Sequence, residues 1–98
     1  MTEKKLPFNK AQMEKIIEKY PTPFHIYDEK DIRSRIRALR KAFSWNEGYK
    51  EYYAVKACPN PIIMSILRDE GCGMDCSSYA ELMLSEAIGV TGSGIMFS

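Results

Sequence analysis

From Tyr52 onward, short runs that fit strands alternate with longer segments that carry helix-start signals. The predicted strands are Tyr52–Val55, Gly73–Cys76 and Ile95–Phe97, and helical patterns separate them. The order β, α, β, α, β with short connections is typical of parallel strands joined by right-handed crossovers. The sequence therefore predicts an α/β fold whose strands end at the same edge of one sheet.

Capping residues mark the starts of four predicted helices, and each helix has an apolar face. The caps are Asn9, Asp28, Asn60 followed by Pro61, and Ser78, which opens an S-x-x-E capping box with Glu81. The first two helices are predicted over about 10–19 and 29–43. The predicted apolar positions are Met13, Ile16, Ile17 and Tyr20; Ile32, Ile36, Leu39 and Phe43; Ile62, Ile63, Ile66 and Leu67; and Leu82, Leu84, Ala87 and Ile88.

Between the first two helices, Pro21-Thr22-Pro23 stops the first helix, and Phe24–Tyr27 is predicted to form a short strand. His25 is interpreted as a structural histidine, because no partner for acid–base chemistry stands beside it. We expect residues 1–22 to form an N-terminal helical extension and residues 23–98 to form part of a barrel.

Length and composition exclude several classes of protein. The 98 residues allow one domain, and the net charge of +1 indicates no affinity for nucleic acid or membrane. The arginines of the second helix (Arg33, Arg37 and Arg40) are interpreted as a solvated flank. The start Met1–Lys5 is charged and unlike a secretory signal, so we expect a cytoplasmic protein.

Three cysteines, Cys58, Cys72 and Cys76, do not form a framework of paired disulfides. No histidine stands near Cys72 and Cys76 to complete a zinc site, so no metal is expected.

Lys56 is the residue whose position points most directly to chemistry. The run Tyr52–Val55 leads to it, and the turn cluster Cys58-Pro59-Asn60-Pro61 follows, so Lys56 is predicted at the carboxyl end of a strand. Ligands bind at that end of parallel sheets. A lysine packed there among apolar groups loses its proton more easily and can attack an aldehyde. A lysine that reaches solvent from an edge strand is the alternative that these residues leave open.

Four segments together resemble a known family. They are Thr22–Asp28, Tyr53–Ala57, Gly71–Ser78 and Glu81-Leu82. They are similar to the N-terminal barrel segment of pyridoxal-phosphate (PLP) dependent decarboxylases with an alanine-racemase-like fold, the group of diaminopimelate, ornithine and related decarboxylases. The resemblance implies the N-terminal portion of a (β/α)8 TIM barrel, incomplete in this chain.

The resemblance also implies site residues. Lys56 would form the Schiff base with PLP, and Asp75 would lie near the cofactor and the lysine. Ala54 would lie under the cofactor ring, although it also suits a core position. Glu81 matches a site glutamate of the family, and the capping box is an equally good explanation for it.

The reaction that the resemblance implies is the decarboxylation of meso-diaminopimelate to L-lysine, in a cytoplasmic homodimer with an amino-acid substrate. Other members of the group, which act on ornithine, arginine or carboxynorspermidine, share this segment. The family's stacking histidine, phosphate loop and C-terminal β domain are not found in these residues, so we expect the 98-residue chain alone to be inactive. A non-catalytic fragment that self-associates through its open sheet edge and a PLP-binding regulatory protein of the same barrel type are the competing hypotheses.

Overall fold

The computed structural model describes residues 5–98, so most of the charged N-terminal stretch discussed above lies outside the described residues. The helices are α1 (Lys10–Lys19), α2 (Glu29–Ala42), α3 (Pro61–Asp69) and α4 (Tyr79–Ala87). The strands are β1 (Tyr52–Ala54), β2 (Gly73–Cys76) and β3 (Ile95–Phe97), and single 3-10 turns cover Val55–Ala57 and Gly92–Gly94. Within the described part of the chain, no helix is both long enough and apolar enough to cross a membrane.

The three strands form one parallel sheet in the order β1-β2-β3, as the alternation of strands and helices predicted. Tyr53 is level with Met74, and Met74 is level with Ile95. Just beyond β3, the Ser98 N–H donates to the carbonyl of Cys76 at 3.0 Å and continues the pairing by one residue. All three carboxyl ends therefore lie at one edge of the sheet.

The core lies between one face of this sheet and the helices α3 and α4. Met74 points into it and is fully buried, while Tyr53 and Ile95 on the same face pack against it. The other buried apolar residues are Val55, Ile63, Met64, Ile66, Leu67, Cys72, Cys76 and Val90.

The buried face of α3 differs from the predicted one by one position. Ile62 is 70% exposed, whereas Met64 is 0% exposed. The Asn60 cap, whose Oδ1 accepts from the N–H groups of Ile62 and Ile63 at 2.9 and 3.3 Å, is as predicted. The predicted pair, Ile62 and Ile63, and the observed pair, Ile63 and Met64, are both at helical spacing from Ile66 and Leu67. The angle at which α3 lies on the sheet selects the face that contains Met64.

The predicted apolar faces of α1 and α2 are less buried than expected. Neither α1 nor α2 contains a buried residue. Ile32 and Ile36 of α2 are partly buried against the core, but Leu39 and the C-cap residue Phe43 are exposed, so only the N-terminal half of the predicted stripe is even partly buried. The C-terminal half lies past the core, where the Phe43 ring stacks on Tyr49 with centroids 4.8 Å apart.

The predicted strand Phe24–Tyr27 is wrong. This segment is irregular and pairs with no strand in the described structure. A short apolar run needs a neighbouring strand to satisfy its backbone groups, and this one instead lies beside α1, where Phe24 and Ile26 line a groove with Ile16.

Tyr52 covers the inner face of the sheet, the face turned away from the helices, near the start of the strands. Its hydroxyl donates to the Ser93 carbonyl at 3.0 Å, so the side chain crosses β2. A Cβ on Gly73 would lie 2.6 Å from Tyr52 Cδ1 and 2.8 Å from the Gly94 carbonyl oxygen. Glycine at position 73 therefore leaves the room that the Tyr52 ring occupies.

Candidate functional site

Lys56 lies at the carboxyl edge of the sheet, as predicted, but not on the strand itself. β1 ends at Ala54, and Lys56 is the middle residue of the 3-10 turn Val55–Ala57. Val55 is fully buried, whereas Lys56 is exposed, so the lysine is not packed among apolar groups as the sequence suggested. The backbone turns here because Val55 enters the core while the chain leaves the sheet.

Two tyrosines contact the turn that follows Lys56. The Tyr53 hydroxyl donates to the Cys58 carbonyl at 3.1 Å, and the Tyr27 hydroxyl lies 3.5 Å from Cys58 Sγ. The contact with Tyr53 joins β1 to the residues just after its own end. This fixes the path of the chain on the C-terminal side of Lys56.

Asp75 lies on the inner face of the sheet at the level of Ala54. The register pairs Ala54 with Asp75 and Asp75 with Met96, and paired residues of parallel strands share a face. Their neighbours Tyr53, Met74 and Ile95 face the helices, so Ala54, Asp75 and Met96 face the opposite way. The carboxyl of Asp75 is half-buried and accepts a hydrogen bond from the Ser98 hydroxyl at Oδ1, 2.9 Å away.

Glu81 is the third residue of α4, the helix that follows β2, and it is 8% exposed. Its Oε2 accepts hydrogen bonds from the hydroxyls of Ser78 at 2.6 Å and Ser77 at 3.1 Å. Ser78 also caps the helix, because its Oγ accepts from the Glu81 N–H at 3.3 Å. Only this half of the predicted capping box forms, since the Glu81 carboxylate binds serine hydroxyls instead of the Ser78 backbone N–H.

The electrostatics of Glu81 keep it ionised. The hydrogen bond from Ser78 is the largest cause that lowers the pKa of Glu81; Ser77 and the positive charge of Lys56 lower the pKa too, while burial opposes them. Its second oxygen, Oε1, is buried without a hydrogen-bond partner among residues 5–98. A buried carboxylate oxygen without a donor is costly, which points to a ligand or a moving side chain that donates to it.

The structure therefore places the four predicted site residues, Lys56, Asp75, Ala54 and Glu81, at one edge of the sheet. The sequence did not lead us to predict Ser77 and Ser98 as site residues. The position of Ser77, next to the capping residue Ser78, could have indicated its contact with Glu81. Ser98 could be found only from the strand register, because its partner lies on another strand.

Two clefts of the described structure lie away from Lys56. One of about 270 Å³ is at the amino edge of the sheet, and one of about 330 Å³ lies between α1 and the segment after it. The first is lined by Ile36, Arg40, Tyr49, Lys50, Glu51, Glu70, Gly71 and Cys72. Lys56 lines neither of these two clefts and is exposed at the edge of the sheet.

Comparison with known proteins identifies the class to which this chain belongs. Residues 29–98 match the family described as pyridoxal-dependent decarboxylase, pyridoxal binding domain. The chain belongs to this family, as its motifs suggested. It forms the N-terminal portion of an alanine-racemase-like barrel.

Relatives agree with this assignment. Protein TabA of Pseudomonas amygdali pv. tabaci is 46% identical over 86 residues, which is 88% of this chain and 20% of TabA. The diaminopimelate decarboxylase of Bacteroides thetaiotaomicron is 35% identical over 77 residues, 79% of this chain and 20% of that enzyme. The protein in the crystal structure of SrLDC in complex with PLP and cadaverine is 25% identical in sequence to this chain, and the two structures superpose with a TM-score of 0.83. The match covers 95% of this chain and 24% of that chain. The chain thus spans about a fifth of the curated relatives it matches.

The residues present suit the aldehyde end of PLP, the family's cofactor. Lys56 offers an exposed amine at the strand edge, and the small side chain of Ala54 leaves the inner face open beside it. Glu81 Oε1, which has no hydrogen-bond partner in the described structure, adds an acceptor. The positive charge of Lys56 lowers the pKa of this carboxyl group. These side chains fit a site that holds an amine-linked cofactor.

Proposed function

We propose that this chain is the PLP-attachment segment of an amino-acid decarboxylase and that Lys56 carries the cofactor. The observation that supports it most directly is the place of Lys56, exposed at the carboxyl edge of a parallel sheet, where its charge lowers the pKa of the buried Glu81. PLP, when bound, supplies an electron sink for the pair of electrons left when a carboxylate departs as CO2.

Lys56 provides the covalent attachment point through Nζ. Its turn is held by the buried Val55 on one side and by the hydrogen bond from Tyr53 to Cys58 on the other. The amine therefore projects from a fixed stretch of backbone, which limits where an attached group can lie. Ala54 leaves space on the inner face for that group.

Glu81 and Asp75 are proposed to line the site from which Lys56 projects. Glu81 Oε1 has no hydrogen-bond partner in the described structure, and the charge of Lys56 lowers the pKa of Glu81, so this oxygen offers an acceptor to a donor that enters the edge. Asp75 adds a second carboxylate on the inner face, level with Ala54.

The substrate is proposed to be meso-diaminopimelate, with L-lysine and CO2 as products, in lysine biosynthesis. Support comes from relatives named diaminopimelate decarboxylase in several organisms, including Bacteroides thetaiotaomicron and Thermoplasma acidophilum, each 35% identical to this chain. We further propose a cytoplasmic homodimer, with residues 1–22 as an extension and 23–98 as barrel.

Attachment is tested on the 98-residue chain. PLP is added, borohydride reduces the link, and peptide mapping reports which lysine carries the label. We expect Lys56 to be labelled in preference to Lys50, an exposed lysine at the amino edge, and Lys56→Arg to lose that label. Equal labelling of both lysines would reject Lys56 as the attachment site.

The reaction is tested by transplanting the segment. Residues 20–98 replace the aligned segment of the Bacteroides diaminopimelate decarboxylase, and CO2 release from meso-diaminopimelate, lysine and ornithine is compared. We expect release from meso-diaminopimelate, and none when the same chimera carries Lys56→Ala. A folded, PLP-binding chimera that prefers lysine or ornithine would contradict the proposed substrate.

A further inference from the structure

The cleft at the amino edge of the sheet lies at the opposite end of the strands from Lys56. Its lining comes from α2 and from the residues that precede β1 and β2. Its volume is about 270 Å³, below the range usual for drug-sized ligands, so it suits a molecule of a few heavy atoms. None of its lining residues takes part in the proposed attachment of PLP.

The charged groups around this cleft have a positive balance. Glu70 is fully engaged, because it accepts two hydrogen bonds from Arg37 and one from Arg33. Glu51 Oε2 accepts from the Tyr49 hydroxyl at 2.7 Å. Among the lining residues and the arginines bonded to them, the positive side chains are Arg33, Arg37, Arg40 and Lys50, and the negative ones are Glu51 and Glu70. This excess of positive charge favours an anion.

Arg40 is the cation of the cleft that remains open to a ligand. Among residues 5–98 its guanidinium forms no hydrogen bond or ion pair, unlike that of Arg37 on the same helix. Its Nη2 would lie 3.3 Å from a Cβ placed on Gly71, so the guanidinium lies beside Gly71 in the cleft lining. The other lining cation, Lys50, already has its Nζ 3.5 Å from the Ser93 carbonyl oxygen.

The rest of the lining suits a hydrocarbon chain. Ile36 and the buried Cys72 line the cleft together with Tyr49. The Tyr49 ring is held in place, because it stacks on Phe43 with centroids 4.8 Å apart. An inorganic anion would leave these groups in water, whereas an organic anion with an alkyl chain would cover them.

We propose that this cleft binds a small aliphatic carboxylate, with its oxygens on the Arg40 guanidinium and its alkyl chain against Ile36 and Tyr49. The arginine fork matches the two oxygens of a carboxylate, and the two parallel hydrogen bonds are charge-assisted. The cleft lies at the other edge of the sheet from Lys56, so this binding does not depend on the proposed function.

The first experiment titrates the wild-type 98-residue chain with acetate, butyrate, butyramide and inorganic phosphate, and follows the backbone amides by NMR. We expect butyrate to cause saturable shifts at Gly71 and Cys72. Each methylene buried on binding corresponds to about a fourfold gain in affinity, so butyrate should bind about fifteenfold more tightly than acetate. Butyramide has the shape of butyrate without its charge and should bind more weakly than butyrate.

The second experiment changes Arg40. Arg40→Gln should weaken butyrate binding by about ten- to a hundredfold, the usual range for hydrogen bonds to a charged group. Arg35→Gln is the matched control, because Arg35 is exposed on the same helix, pairs with Asp31 and lies outside the cleft lining. Arg40→Lys keeps the charge and loses the fork, so its affinity should lie between those of Arg40→Gln and wild type. Circular dichroism verifies that each variant folds.

Three results would each overturn the proposal. They are the absence of saturable butyrate shifts at the cleft, equal weakening by Arg40→Gln and Arg35→Gln, and butyramide or phosphate binding as tightly as butyrate. The comparison of butyrate with butyramide and phosphate uses the wild-type chain alone, so it decides the matter even if a variant fails to fold.

Discussion

Arg37 holds Glu70 by two hydrogen bonds: its Nη2 lies 2.8 Å from Oε1 and its Nε lies 3.0 Å from Oε2. Arg33 adds a third, from Nη1 to Oε1 at 3.2 Å. Glu70 is 7% exposed and ends α3, so this cluster fastens α2 to the core through a nearly buried carboxylate. The flank of α2 that the sequence suggested was solvated is therefore partly an ion-pair surface.

This contact makes stability depend on pH in a defined direction. The hydrogen bond from Arg37 is the largest cause that holds the pKa of Glu70 below its ordinary value of 4.5, with burial opposing it. A depressed carboxyl pKa contributes stability above the unfolded pKa and loses it as pH falls through the folded pKa. We expect the urea midpoint to be level near neutral pH and to fall as pH drops below about 4.5.

Glu70→Gln tests the assignment. The variant should be less stable than wild type at pH 7, because the two arginines lose their anion, and the difference should shrink as pH falls below 4.5. Glu47→Gln, an exposed turn residue, is the control and should leave the pH profile unchanged. Parallel profiles for wild type and Glu70→Gln would show that another carboxyl governs the acid transition.

Gly73→Ala should destabilise the fold by roughly 1–3 kcal/mol, the usual cost of overpacking. The added methyl would lie 2.6 Å from the Tyr52 ring and 2.8 Å from a backbone carbonyl of Gly94, and the carbonyl cannot move aside like a side-chain end. Urea denaturation monitored by tryptophan fluorescence gives the comparison. Gly48→Ala, where the nearest atom is 3.4 Å from the new Cβ, is the control; a loss of equal size there would remove the steric explanation.

Met64→Ala should cost roughly 2–5 kcal/mol, because the side chain is fully buried between α3 and the sheet. Ile62→Ala, two positions away on the 70% exposed side, should change stability by less than about 0.5 kcal/mol. Both free energies of unfolding come from the same urea titration. The reverse order would mean that α3 lies on the sheet by the face that the sequence predicted.

The pair Met64 and Ile62 shows how far the sequence could predict this fold. Helix ends followed from local chemistry such as the Asn60 cap, and β2 and β3 appeared with their predicted bounds. Which of two apolar faces of α3 is buried depends on its angle to the sheet, a property of the packed whole. Phe24–Tyr27 was misassigned because strand-forming residues need a paired strand, which this segment lacks in the described structure.

The positions of the candidate site residues in the fold were more predictable than the packing of the core. Lys56 lies just past the end of β1 and Asp75 lies one residue before the end of β2, and the parallel order alone brings these ends to one edge. The contact of Ser98 with Asp75 could not be predicted, because it depends on side-chain rotamers across two strands. The exposure of Lys56 was also missed, since the strand ends before Lys56 and the turn that follows directs it away from the core.

Ser78→Ala should raise the pKa of Glu81. The Ser78 hydroxyl is the largest cause of its lowered value, and its loss leaves Ser77 at 3.1 Å and the charge of Lys56 to hold the anion. Site-resolved NMR titration of the Glu81 carboxyl carbon gives the measurement. The same change removes the α4 cap, with a loss of stability of about 1 kcal/mol.

Ser65→Ala is the control. The Ser65 hydroxyl donates to the Pro61 carbonyl at 2.7 Å within α3, so its removal should leave the Glu81 titration unchanged. An unchanged Glu81 titration in folded Ser78→Ala would mean that Ser77 and Lys56 suffice to keep this carboxylate ionised.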